Sequence, residues 1–150
     1  MGFLSTNCYE KIKALEGKKI RKVIYYQWKN LASNDDFKSL DWLEINLQDD
    51  TKVVFHYGVD NDGIELVDFE FNVELNKIET EFKDQATLVR ENATLEKYWF
   101  PVLDKEIREV KFSEKNGDKM NTQIIFEFSD NHQIEITTQE EGMGVDFYEE

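Results

Sequence analysis

The sequence contains only one cysteine and one proline in 150 residues. A single cysteine, Cys8, excludes an internal disulfide and a cysteine-rich zinc site. No apolar run reaches the roughly 18 residues that a membrane-spanning helix requires. The first residues also lack the basic start and the long apolar stretch of a signal peptide, so we expect a cytoplasmic protein.

Basic residues are scarce as well, since 18 Lys and Arg stand against 32 Asp and Glu, for a formal net charge of −14. Proteins that bind nucleic acid use clustered Lys and Arg to neutralise phosphates, and a strongly acidic chain lacks that footprint. An anionic membrane surface would repel the chain for the same reason. We therefore expect neither nucleic acid nor a membrane as a partner.

Hydrophobic residues are nevertheless plentiful, at 40% of the chain, and aromatic residues make up 13%. This content is sufficient for a folded core, and the length is that of one ordinary domain. The chain has no linker rich in serine or glycine that would separate two domains. We predict that residues 1–150 form a single compact domain.

The two halves of the sequence repeat a pattern in the same order. Residues 20–25 align with 107–112, 43–50 with 124–131, Val53 and Phe55 with Ile134 and Ile136, and 67–69 with 145–147. The offset between the halves falls from 87 to 81 and then to 78, and each change lies where a turn is expected. This pattern predicts an internal duplication, with repeat halves at about 1–76 and 92–150 joined by 77–91.

Local patterns predict a short helix at the start of each half. The first helix is capped by Ser5 or Thr6 and is followed by Gly17. Its apolar stripe consists of Leu4, Cys8, Ile12 and Leu15. In the second half, a helix capped at its first residue is predicted over 92–99 and stops before Pro101.

Alternation of apolar and polar residues predicts the strands. They are expected at 20–28, in a hairpin over 42–57, and at 67–75, 107–113, 122–129, 132–138 and 144–149. The segment 67–75 alternates most regularly, with one apolar and one acidic face. The joining segment 77–91 carries an apolar helical stripe, although 86–89 is also compatible with a strand. Together these elements predict an α+β fold, mainly antiparallel sheet, in which two αββββ halves pack as one compact unit.

The sequence contains no complete motif for catalysis, metal binding or cofactor binding. The two histidines, His56 and His132, are too few for a His-rich metal site, and the sequence has no nucleophile elbow. Residues 60–63 resemble part of a calcium loop but lack its acidic ends, so we interpret them as a polar turn. The glycines of 142–144 do not form a phosphate-binding motif. The sequence therefore predicts no catalytic residue, metal ligand or cofactor.

The acidic excess is confined to two segments. Residues 58–81 carry −7 and residues 127–150 carry −8, so the rest of the chain sums to +1. Concentrated charge of one sign opposes folding but attracts a cationic partner. We predict a partner-binding face composed of Asp60, Asp62, Glu65, Asp68, Glu70, Glu140, Glu141 and Asp146, with Tyr57 and Tyr148 as aromatic anchors.

A small, strongly acidic domain with one cysteine and no catalytic constellation resembles the immunity proteins of bacterial toxin systems. The resemblance covers size, charge and the lack of a site, and it involves no family motif. It implies a non-enzymatic inhibitor, of the antitoxin type, whose partner is a basic protein such as a toxin nuclease. Two alternatives stay open: a small hydrolase or ligand-binding enzyme with carboxylates and one histidine in a cleft, and a structural or regulatory domain that is acidic for solubility alone. The sequence does not decide between a monomer and a homodimer.

Overall fold

The computed structural model describes residues 4–31, 38–58, 63–139 and 142–149. In chain order the elements are α1 (Thr6–Lys13), β1 (Ile20–Asn30), β2 (Lys38–Leu47), β3 (Lys52–Gly58), β4 (Gly63–Leu66), α2 (Phe71–Phe82), β5 (Ala86–Asn92), β6 (Ile107–Lys115), β7 (Asp118–Phe128), β8 (His132–Thr138) and β9 (Met143–Glu149), with short 3-10 helices at Lys83–Gln85 and Phe100–Val102. Each strand pairing among the described residues is antiparallel. The predicted α+β fold with an antiparallel sheet is therefore confirmed.

The strands form two four-stranded meanders. The first meander is β1–β4, and β5 extends it by pairing with the free side of β1. The second meander is β6–β9. The two are joined where β2 and β9 pair through Leu40 and Met143, and β4 also packs against β7 and β8. These connections place one face of each meander against the other.

The main core lies between the two meanders. Phe55 of the first meander and Phe126 of the second are fully buried, with ring centroids 6.1 Å apart. Ile12 of α1 and Leu15 of the turn after it close one end of this core. The Ser5 hydroxyl accepts a hydrogen bond from the Cys8 amide, which confirms the predicted start of α1.

A second, smaller core lies on the outer face of the first meander. Tyr26, Trp42 and Val54 point away from the main core and are buried beneath α2 and the segment that leads into it. Phe69 packs on both rings, with centroids 4.4 Å from Tyr26 and 5.1 Å from Trp42. Ile78 of α2 completes the contact. The first meander is therefore covered on both faces.

The predicted strand over 67–75 is wrong, because α2 begins at Phe71 and residues 67–70 lie outside any strand. Apolar residues recur here at two periods at once. The alternate residues of 67–75 are apolar, but Phe71, Leu75 and Ile78 also follow one another at helical spacing. The segment from Phe71 onward folds as a helix, because its apolar stripe covers the outer face of the first meander, which would otherwise be exposed.

Two further helix predictions are corrected. The predicted helix over 92–99 is absent: the Asn92 side chain instead accepts a hydrogen bond from the Thr94 amide in a tight turn, and only a 3-10 turn follows. The helix predicted over 77–91 ends at Phe82, and residues 86–92 form β5. Tertiary contacts decide both cases, because Trp99 is fully buried and β5 pairs along β1. The order αββββ thus holds for α1–β4, whereas no α-helix lies between β5 and β6.

The two meanders use the same strand register. Equivalent facing pairs are Val23 with Ile45 and Val110 with Phe126, then Leu43 with Phe55 and Ile124 with Ile136. In both meanders the first pairing is interrupted by a bulge after its first residue. The fourth strands differ from the sequence alignment, because Val145 lies within β9 whereas Val67 follows the end of β4.

Gly142 lies at the junction of the two meanders. Its φ is 84°, and a Cβ atom there would lie 2.7 Å from the Leu40 carbonyl oxygen. Gly117, in the turn between β6 and β7, has the same φ of 84° but no atom within 4 Å of such a Cβ. Substitution of Gly117 therefore measures the cost of the backbone angle alone, whereas substitution of Gly142 adds the cost of the contact with Leu40.

We expect Gly117→Ala to lower the free energy of unfolding by about 1 kcal/mol, the cost of a left-handed residue with a side chain. Gly142→Ala should lower it by roughly 1–3 kcal/mol more, because the methyl group must displace backbone of β2. Urea unfolding followed by circular dichroism measures both. Equal losses would show that the junction is looser than described.

Candidate functional site

The acidic charge of the first segment lies largely on the outside of α2 and the loop before it. Residues 63–82 contain six acidic side chains and a single cation, Lys77, which pairs with Glu74 at 3.5 Å. Four of the acidic residues are exposed and form what we call the acidic helix face: Asp68, Glu70, Glu79 and Glu81. Within the described part of the chain, none of these four forms an ion pair.

The acidic residues of α2 meet the helix dipole differently at the two ends. Glu79 and Glu81 occupy the last turns of α2, where the helix dipole favours cations, and no basic residue is present there. At the other end, Glu70 occupies the N-cap position without a side-chain hydrogen bond to the backbone, but its negative charge and that of Glu74 suit the dipole there. Only the charge at the C-terminal end therefore opposes helix formation, and by a small amount.

Two acidic residues of the second segment are compensated by cations. Glu127 is buried and lies 3.0 Å from Lys111 Nζ and 3.7 Å from Arg108, both on the neighbouring strand β6. Asp130 pairs with Lys105 at 3.7 Å and with His132 Nδ1 at 2.6 Å. The compensation is partial, because Asp146 is exposed on β9 and forms no ion pair among the described residues. Both segments therefore present acidic charge on their described surfaces, and that of the first is concentrated on one helix and the loop before it.

The predicted partner-binding residues fall into three sets. Asp60, Asp62, Glu140 and Glu141 lie outside the described residues. On the first meander, Glu65 is half-buried in β4, while Asp68 and Glu70 line an open cleft of about 460 Å³ opposite Lys11 and Lys52.

The third set lies on the second meander. Asp146 is exposed on β9, and Tyr148 on the same face is 48% exposed. The negative charges of Glu135 and Asp146 raise the pKa of Tyr148. Tyr57, by contrast, is half-buried against the main core. Asp68 and Asp146 belong to the outer sides of different meanders, so the fold does not bring these predicted residues into one patch.

The structure also contains a cavity that sequence reasoning missed. It has a volume of about 240 Å³ and lies between β1, the start of β2, the turn after β5, and β9, and we call it the seam cavity. Its polar wall includes Tyr25, Gln27, Glu96 and Tyr98. The one sequence signal was Gln27, a polar residue that continues the inward alternation of Val23 and Tyr25.

Glu96 contributes a carboxyl group to the lining of the seam cavity. Burial raises its pKa to about 7, helped by a hydrogen bond to Glu91 and by the negative charge of that residue. Trp99 holds the Tyr25 side chain in the cavity wall, since its Nε1 donates a 2.6 Å hydrogen bond to the Tyr25 hydroxyl. The pair of carboxyl groups can therefore hold a proton near neutral pH.

Neither histidine lines the open cleft beside Asp68 or the seam cavity. His56 stacks on Trp42 at 4.6 Å between ring centroids, and its Nδ1 lies 3.0 Å from the Asp41 carbonyl oxygen. His132 Nδ1 contacts Asp130. The described residues include no cluster of three or more His, Cys, Asp or Glu arranged to hold a metal ion.

The chain matches no protein-family model, and no curated protein or solved structure is significantly similar to it. None of the helices described here is long and apolar enough to cross a membrane.

Asp41 offers a direct test of the electrostatics beside His56. Burial raises the pKa of Asp41 to about 6, against the lowering effects of His56 and of a 3.3 Å hydrogen bond from Ser39. The unfolded chain loses this proton near pH 4, so stability falls as the pH rises from about 4 to 6.

We expect Asp41→Asn to stabilise the protein at pH 8 by about 1–2 kcal/mol, since each pKa unit corresponds to roughly 1.4 kcal/mol. The gain should disappear near pH 4, where both forms are neutral. Urea unfolding at the two pH values, with exposed Asp118→Asn as the control, measures the difference. A loss of stability that is the same at both pH values would contradict the assignment.

Proposed function

We propose that this protein is a non-enzymatic inhibitor of the immunity or antitoxin type, which binds and sequesters a basic protein such as a toxin nuclease. The observation that carries the proposal is the acidic helix face, whose four exposed carboxylates form no ion pair among the described residues. A cationic partner supplies the missing charges and is steered toward them. The cytoplasm is the compartment in which such an inhibitor acts.

The concentration of charge around α2 supports binding over plain solubility. A surface built for solubility mixes charges of both signs, whereas residues 63–82 contain six acidic side chains and one cation. Glu79 and Glu81 also oppose the helix dipole at the end of α2. Val73, at 46% exposed, adds an apolar contact on the same helix. The open cleft beside Asp68 adds concave surface.

The other residues predicted from the sequence remain part of the proposal. Asp60 and Asp62 precede β4 in the chain, and Glu65 lies within it, so these residues extend the same acidic segment toward its start. Asp146 and Tyr148 would form a separate, weaker contact on the second meander.

We also propose that the fold arose by duplication of a four-stranded unit. The shared register supports this, and so do repeated contacts at matching positions. The matching ion pairs are Lys18 with Asp49 at 3.2 Å and Lys105 with Asp130 at 3.7 Å. A single bridge also pairs Lys19 with Glu106, two positions that the offset of 87 makes equivalent. A bridge between equivalent residues is what a pseudo-twofold axis produces.

The proposed duplication explains why one meander carries a covering helix and the other does not. The outer positions Ile24, Trp42 and Val54 of the first meander are covered, and their equivalents in the second are Lys111, Gln123 and Glu135. Only the first unit therefore needs a covering helix. We infer that α2 was added to one unit, and that its outward side was free to acquire a binding face.

The first experiment is co-purification with, and inhibition of, the basic protein encoded beside this gene. We expect Glu79→Lys combined with Glu81→Lys to slow association at least about tenfold, because steering depends on local charge. The same double variant should change the free energy of unfolding little, because the better fit of cations to the end of a helix is offset by loss of the 3.3 Å hydrogen bond that Thr87 Oγ1 donates to Glu79. Stopped-flow fluorescence and urea unfolding measure the two effects.

The matched control is Glu10→Lys combined with Asp118→Lys, which changes the net charge equally at exposed positions away from α2. Equal slowing by both double variants would attribute association to net charge alone. Absence of any binding by the neighbouring basic protein would contradict the proposed inhibitor.

A further inference from the structure

The acidic helix face accounts for the attraction of a basic partner but not for its retention. Long-range charge mainly raises the rate of association, whereas a few well-packed side chains at the centre of an interface supply most of the binding energy. The anchors predicted from the sequence do not adjoin the acidic helix face. Tyr57 is half-buried against the main core, and Tyr148 lies on the second meander.

Phe82 is the exposed aromatic residue that does adjoin the acidic helix face. In the described part of the chain, the large apolar side chains that are exposed are Leu31, Val73, Phe82, Leu95, Phe100 and Tyr148. Of these, Val73 and Phe82 belong to α2. Phe82 lies within one turn of both Glu79 and Glu81, whereas Val73 precedes Glu79 by almost two turns. An apolar anchor beside the concentrated charge is therefore found at the end of α2.

Phe82 lies at the margin of the second core. It continues the apolar stripe of α2, which Phe71, Leu75 and Ile78 bury against the first meander. Ile78 is 7% exposed, whereas Phe82 is 36% exposed. The Phe82 ring meets that of Trp28 edge to face, with centroids 4.7 Å apart, and Trp28 is itself half-buried near the end of β1. Trp28 and Phe82 form what we call the anchor pair, an aromatic surface that is packed on one side and open on the other.

The charge around the anchor pair is mainly negative. Neither Glu79 nor Glu81 forms an ion pair among the described residues. Lys83 is the one cation in the sequence 78–85, which contains three acidic residues. Lys29, which follows Trp28 in β1, alternates to the opposite face of the sheet. A shallow groove of about 440 Å³ beside this end of α2 is lined by Asn76, Lys77, Thr80 and Glu81.

We propose that the anchor pair is the apolar centre of the interface with the basic partner, and that it receives an apolar side chain flanked by Lys or Arg. The inference rests on the proposed inhibitor and names the contact that retains its partner. Packing on Trp28 restrains the Phe82 ring before binding, so docking orders few additional side-chain torsions. The flanking cations would meet Glu79 and Glu81 at the rim of the same contact.

Dissociation of the complex with the basic protein encoded beside this gene tests the anchor pair. We expect Phe82→Ala to accelerate dissociation at least about thirtyfold, as for an interface hot spot, and to change association less than about twofold. Phe82→Leu, which keeps an apolar side chain over Trp28, should accelerate dissociation several-fold. Both effects should persist at high salt, because an apolar contact is not screened. The slower association of the Glu79 and Glu81 double variant should, by contrast, disappear at high salt.

The matched control is Leu95→Ala, which removes a side chain that is 75% exposed. Leu95 lies near the other end of β1, because the adjacent Thr94 hydroxyl accepts a hydrogen bond from the Val23 amide. This variant should leave both rates unchanged. Urea unfolding verifies that each variant is folded, and Phe82→Leu carries the test if Phe82→Ala does not fold.

The outcomes separate the anchor from the inhibitor. If the Phe82 variants dissociate no faster than Leu95→Ala, the anchor pair is overturned, while binding of the unaltered protein leaves the inhibitor intact. If the unaltered protein does not bind the neighbouring basic protein at all, the inhibitor and the anchor pair are overturned together.

Discussion

Burial of one face of each meander against the other is the interaction on which the rest of the structure depends. Phe55 and Phe126 meet at its centre, and α1 and Trp99 close its ends. A sheet with one apolar face must bury that face against another element, so each meander requires the other. This packing brings β1, the turn after β5, and β9 together, and their imperfect closure leaves the seam cavity.

The asymmetry between the meanders follows from their outer faces. Trp42 and Val54 make the outer face of the first meander apolar, so it must be covered, and α2 covers it through Ile78 and the aromatic residues before it. The outer face of the second meander carries Glu135 and Lys111 and faces solvent. A covering helix exposes its opposite side, and here that side is acidic. The position of the acidic helix face is thus a consequence of where apolar surface had to be buried.

The sequence predicted the elements whose signals are local. The hairpins of both meanders follow from period-two alternation and from turn residues such as Asn116 and Gly117, and the start of α1 follows from Ser5. It could not predict α2, because 67–75 fits a strand as well as the start of a helix until the face it covers is known. Nor could it predict that Lys111 neutralises Glu127, since that pairing forms across strands. The seam cavity joins segments that meet only in the folded chain.

The central claim is that the acidic helix face binds a basic protein, and hydrogen–deuterium exchange of the complex tests it most directly. Amides of α2 and of residues 67–70 should exchange more slowly in the complex than in the free protein, because a docked partner excludes water and suppresses local opening. Amides of β8 and β9 should change little by comparison. Protection confined to β8 and β9, with α2 unchanged, would contradict the account and would move the interface to the second meander.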